Sequence, residues 1–95
     1  MRFEREVTIQ NKTGLHARPA ALFVQIANKY DSEITVEKDG ESVNGKSIMG
    51  ILMLAAEKGS VVTIKAYGSD ARQAVEELIG VLSKTEEDQF GGAIK

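Results

Sequence analysis

His16 and Arg18 stand two residues apart in the segment Gly14-Leu15-His16-Ala17-Arg18-Pro19-Ala20, and His16 is the only histidine of the chain. Imidazole is a competent nucleophile near neutral pH, because an unperturbed pKa of about 6.5 leaves much of it uncharged. A guanidinium can engage two phosphate oxygens at once. Directly after the pair, Pro19, Leu22, Phe23, Ile26, Ala27 and Tyr30 recur at three- and four-residue steps, so a helix beginning near Ala17 would set both side chains at its positive end. Free first-turn amides there favour an anion, and Pro19 is tolerated because the amide it removes has no acceptor inside the helix. Such a site can take a phosphoryl group and hold it. Physical chemistry alone admits a plainer reading equally well, in which His16 caps the helix and Arg18 is a solvated charge.

Ser47 is the second residue with chemistry in reach. It precedes Ile48-Met49-Gly50-Ile51-Leu52-Met53-Leu54-Ala55, a run apolar nearly all the way round. Its hydroxyl can cap free amides at the start of that helix, a role that needs no regulation. A phosphoserine at the same place would be electrostatically tolerated. So short a helix cannot be wholly buried in a small domain. Although the commoner fate of such side chains is the core, Ile48, Met49 and Leu52 are candidates for a partner-docking patch, where methionine adapts to differently shaped surfaces.

Composition narrows the chemistry further. With 95 residues the chain has room for one domain with one modest core. Its 42% apolar and 27% charged residues are those of an ordinary soluble protein, and no apolar run approaches the roughly 20 residues of a membrane span. The charged start Met1-Arg2-Phe3-Glu4-Arg5-Glu6 lacks the pattern of a secretory signal, so the cytoplasm is the expected compartment. There is no cysteine, hence no disulfide or thiolate chemistry, and one histidine leaves a transition-metal site short of ligands. No cofactor or metal is expected. A net charge of -2 gives no general attraction to nucleic acid or to an anionic membrane. Lys46 and Lys65 are too scattered to define a nucleic-acid groove, Gly91-Gly92 is not a phosphate loop, and Glu76-Glu77 reads as a solvated helix face.

The elements that must position the candidate residues can be read in outline. Phe3, Arg5, Val7 and Ile9 alternate with Glu4, Glu6 and Thr8 as in a half-buried strand, and Asn11-Lys12-Thr13-Gly14 is turn chemistry before the first helix. Ile34 and Val36 alternate with polar neighbours, and Asp39-Gly40 turns the chain into a second strand at Ser42-Val43. Val62, Ile64 and Ala66 form a fourth strand. Asp70 with Gln73 suggests a capping box for a last helix whose Ala71, Ala74, Val75, Leu78, Ile79 and Leu82 fall on one stripe, with Arg72, Glu76, Glu77 and Lys84 toward solvent. The order βαββαβα indicates an α+β open-faced β-sandwich, in which right-handed crossovers give a four-stranded antiparallel sheet of order 1-4-2-3 with three helices on one face. The domain is expected over 1–88, with a frayed tail over 89–95.

Gly14-Leu15-His16-Ala17-Arg18-Pro19-Ala20 closely resembles the active-site segment of HPr, the histidine-containing phosphocarrier family of the bacterial sugar phosphotransferase system. The resemblance runs over roughly 3–88 and includes Lys46-Ser47-Ile48-Met49-Gly50. It implies that His16 is phosphorylated on Nδ1 by enzyme I and passes the group to IIA domains of sugar permeases, with Arg18 stabilising the phosphate. The chain would then be a relay and not a stand-alone enzyme. The Ser47 segment is similar to the regulatory segment of Gram-positive-type members, which implies an HPr kinase/phosphorylase and a catabolite-control transcription factor as further partners. A monomer is expected, with neither membrane insertion nor nucleic-acid binding. Two other readings compete: a regulatory binding module in which Ser47 matters and sugar transport does not, and a ferredoxin-like module for RNA or a metabolite, which leaves the histidine segment unexplained.

Overall fold

The structure, a computed structural model, describes residues 1–83. The expected frayed tail at 89–95 and the last residues of the expected domain lie outside the described residues. Seven elements follow in the order β1 (Arg2–Thr8), α1 (Ala17–Ala27), β2 (Glu33–Lys38), β3 (Glu41–Asn44), α2 (Ile48–Met53), β4 (Val61–Tyr67) and α3 (Ala71–Ser83). The strands form one antiparallel sheet of order β1-β4-β2-β3, as the alternation and the crossover rule predict.

Alternation fixes the register. Val7 stands opposite Val62, and Val36 opposite Ile64, so the apolar side chains of neighbouring strands meet on the helix side. Thr35 opposite Lys65 belongs to the other face, which no helix among the described residues covers. Between β2 and β3 the chain turns through Asp39 (φ 51°) and Gly40 (φ 83°), both left-handed, the conformation that matches a two-residue hairpin to strand twist. The ladder runs one step past β1. Ile9 donates to the Ser60 carbonyl and its own carbonyl accepts from Gly59, which buries Ile9 completely.

Phe23 of α1, Ile51 of α2 and Leu78 of α3 meet Val36, Val62 and Ile64 in the single core. Each of these large side chains is fully buried and contributes roughly 1.5–3 kcal/mol of hydrophobic stabilisation relative to exposure. Four expectations for the helices are corrected in detail. On α3, Val81 is buried while Ile79 is only partly so, because the buried stripe drifts round the helix over its 13 residues. Glu77 is not a merely solvated acid: it accepts from Lys29 at 3.2 Å and from the Tyr30 hydroxyl, tying α3 to the end of α1. Tyr30 itself lies past the last turn of α1. Asp70, expected in a capping box, serves the α1–β2 loop, where its carboxylate accepts from the amides of Asp31 and Ser32, both at 3.0 Å, and from the Ser32 hydroxyl.

Candidate functional site

Gly14, at φ +79°, begins the positioning of His16. Its conformation is one that side chains resist, and a Cβ there would come within 2.8 Å of the Ala56 carbonyl oxygen and 2.9 Å of Glu57 Cα. Glycine thus lets the chain lie directly on the segment that follows α2. Leu15 completes the contact, donating its amide to the Ala56 carbonyl at 2.8 Å and burying its side chain. The next residue is His16, in extended conformation at the N-cap of α1.

The His16 carbonyl accepts from the Ala20 amide at 2.8 Å and so starts the helical ladder, while its side chain makes no capping bond. The imidazole is exposed. Arg18 is exposed in the first turn, and Pro19 is buried beneath it. A cavity of about 250 Å³ opens beside the ring, lined by Leu15, His16, Leu52, Ala55, Ala56 and Glu57. An accessible imidazole therefore stands at the N-terminus of α1, with an exposed arginine two residues on in the first turn, and the free amides of such a helix end favour an anion.

The sequence reading missed the wall of that cavity. Ala55 is left-handed, at φ 52°, an uncommon conformation for a residue with a Cβ and one found most often where a chain is over-determined by its surroundings. Its neighbour Ala56 accepts the Leu15 bond. Only Gly14 hinted in the sequence that something packs so closely against the histidine loop.

Ser47 caps α2 as read: its side chain accepts from the Gly50 amide at 3.1 Å. The loop before it is pinned to the C-cap of α1 and the residues just after it by two bonds, from the Asn28 side-chain amide to the Lys46 carbonyl at 3.2 Å and from Lys46 Nζ to the Tyr30 carbonyl at 2.6 Å. This sets α2 beside α1. Only Ile51 of α2 is buried, whereas Ile48, Met49 and Leu52 are 37%, 64% and 38% exposed. Met53, which the reading did not single out, is 73% exposed and extends the patch. Leu52 belongs both to the patch and to the cavity beside His16, so the two are continuous. No helix among the described residues is long and apolar enough to cross a membrane.

Comparison with known proteins meets this geometry from outside. The chain matches the family model described as "PTS HPr component phosphorylation site" over residues 3–84. It is 53% identical over 81 residues to the HPr-like protein Crh of Halalkalibacterium halodurans, spanning 85% of this chain and 96% of that protein. The solved phosphocarrier protein HPr from Bacillus anthracis superposes with a TM-score of 0.83 at 51% identity, covering 85% of this chain and 96% of that one. Crh from Bacillus subtilis, solved as a domain-swapped dimer, superposes with a TM-score of 0.69 at 50% identity over 82% of this chain and 90% of that chain.

The last comparison overturns the expectation of a monomer, since a protein half identical to this chain assembles as a dimer. The physical reason the sequence concealed this is that a swapped dimer reuses between two copies the contacts that one copy makes within itself, so it needs no additional apolar surface to announce it. An open-faced sheet of order 1-4-2-3, a histidine presented at the head of its first helix, and likeness along nearly the whole chain all lead to the same assignment: this chain belongs to the HPr family of phosphocarriers.

Proposed function

We propose that the chain relays a phosphoryl group, accepting it on His16 from phospho-enzyme I and donating it to IIA domains of sugar permeases in the cytoplasm. The observation that carries this reading is the exposed His16 imidazole at the N-cap of α1, making no capping bond of its own, with Arg18 in the turn above. In the transfer, a ring nitrogen forms the bond to phosphorus while the bond to the donor breaks. Arg18 and the first-turn amides meet the phosphoryl oxygens, and the helix dipole favours their charge. Donation runs the same steps in reverse. With a nucleophile and an anion cradle at one exposed helix end, the chain acts as a carrier between catalysts and not as an enzyme by itself.

Incubation with enzyme I and phosphoenolpyruvate, followed by intact-mass measurement before and after mild acid, tests the proposal. One acid-labile phosphoryl group is expected on the wild type and none on His16→Ala. Equal gain by both would remove His16 from the role.

A second role is supported by Ser47 and by the likeness to Crh, a protein whose solved form is described as a catabolite repression protein. Ser47 is a phosphorylation site for an ATP-dependent kinase, and its phosphate would lie on the α2 patch that enzyme I reads. Negative charge added there opposes docking, which explains in simple terms how one modification would antagonise the other. An acid-stable phosphate on the wild type, absent from Ser47→Ala after treatment with ATP and the kinase, is the expected result.

A further inference from the structure

Met49 and Met53 stand one helical turn apart on α2 and are its most exposed side chains, at 64% and 73%. Residues four apart lie on one helix face, so the two thioethers flank the same strip of surface. Leu52, also exposed, continues that strip into the cavity beside His16. The chain has no cysteine. A soft oxidant therefore meets no competing thiol within the molecule, and these sulfur atoms, together with that of Met1 at 69% exposure, are its accessible reductants.

We infer that Met49 and Met53 form an oxidation site for hydroperoxides that weakens docking of phosphoryl donors and acceptors at α2. In each step the thioether sulfur attacks the terminal peroxide oxygen. An S–O bond forms as the O–O bond breaks, the leaving hydroxide or alkoxide takes up a proton, and the products are a sulfoxide and water or an alcohol. The sulfur is oxidised by two electrons and the peroxide is reduced by two. A flexible apolar side chain becomes polar and chiral, which removes its fit to an apolar partner surface. The His16 ring, on a different element, keeps its position, because Gly14 and the Leu15–Ala56 bond hold it by the main chain. The inference rests on the relay proposed above, whose docking surface it modifies.

The test treats the intact chain with dilute hydrogen peroxide, removes the peroxide with catalase, and locates the added oxygens by peptide mass. Acceptance of phosphate from phospho-enzyme I is then followed at varied chain concentration. With both methionines oxidised, KM is expected to rise about tenfold, the factor produced by losing part of a buried methionine contact, while kcat changes less than about twofold. Methionine sulfoxide reductase should restore KM. In Met49→Leu/Met53→Leu, peroxide should leave KM at that variant's own untreated value, whatever that value is, with Met1 still present as an internal control.

Full oxidation of both residues with an unchanged KM would overturn the inference. So would persistence of the peroxide effect in the double variant, or survival of both thioethers while free methionine in the same solution is consumed. An untreated chain that gains no phosphate on His16 would overturn the relay itself, and this inference with it, at a step before peroxide enters.

Discussion

The Leu15 amide donates to the Ala56 carbonyl across 2.8 Å, and this bond fixes where His16 stands relative to α2. His16 and the exposed α2 patch come from segments some forty residues apart in sequence, and the main chain joins them. Gly14 makes the approach possible. In Gly14→Ala the new Cβ would press on Ala56 and Glu57 from a left-handed backbone. The expected cost is about 2 kcal/mol or more, from αL strain together with overpacking. The urea midpoint measures it, and enzyme I-dependent phosphorylation should slow in the folded fraction as His16 shifts.

Arg18→Ala addresses the opposite case, an exposed side chain whose loss leaves the core alone. Thermal stability should stay within about 1 kcal/mol of wild type, the most that an exposed ion pair or hydrogen bond contributes. The rate of phosphoryl acceptance should fall by about tenfold to a hundredfold, the loss expected when a charge-assisted pair of bonds to a phosphate is removed. Arg18→Lys should recover part of it, because lysine keeps the charge but not the fork. Rapid-quench kinetics with phospho-enzyme I distinguishes the three proteins.

Ser47→Ala removes the side-chain bond from the Gly50 amide that caps α2. A loss of about 1 kcal/mol is expected, which in a domain of this size lowers Tm by roughly 5 °C. Differential scanning calorimetry reads it directly. Kinase experiments with this variant should therefore be run well below its melting range, so that a lost phosphate reports the missing hydroxyl and not a lost helix.

Asp70 should govern part of the acid limb of stability. Its carboxyl is held below the ordinary carboxylate range by the Ser32 hydroxyl first, then by the Asp31 amide, with a further bond from the Ser32 amide. A carboxyl whose pKa is lower folded than unfolded stabilises the fold above its unfolded value, and that contribution is lost as pH falls through the folded one. Wild type should thus lose stability on descending from about pH 5 through the acid range, and Asp70→Asn should show a shallower descent from a lower starting point. Glu37 and Glu77, also depressed, keep the variant's slope from vanishing. Urea midpoints taken between pH 7 and pH 2.5 decide the matter.

Strand alternation and turn chemistry were enough to read the sheet. Val7, Val36, Val62 and Ile64 announce their inward faces by period, and Asp39-Gly40 announces its hairpin by residue type. The head of α1 was legible for the same reason, since turn residues, histidine, arginine and proline follow one another within a single turn. The bonds that only the fold creates stayed hidden. Glu77 reads as solvent-facing because its partners Lys29 and Tyr30 are 48 and 47 residues away. Asp70 carries the local signature of a helix cap, and a tertiary demand from Ser32 engages its carboxylate. Left-handed Ala55 gave no sign in its residue type, because alanine is a good helix former and the conformation is imposed by packing.

One property of the His16 cradle reaches beyond any single variant. The ring is held in register by Gly14 and by one amide-to-carbonyl link to Ala56, atoms that every substitution retains except those involving glycine or proline. The residues around its rim can then be exchanged one by one without moving the nucleophile. A scaffold built this way can acquire new clients by drift at its margin while its chemistry stays in place, and duplicated copies could diverge in whom they serve before they diverge in what they do.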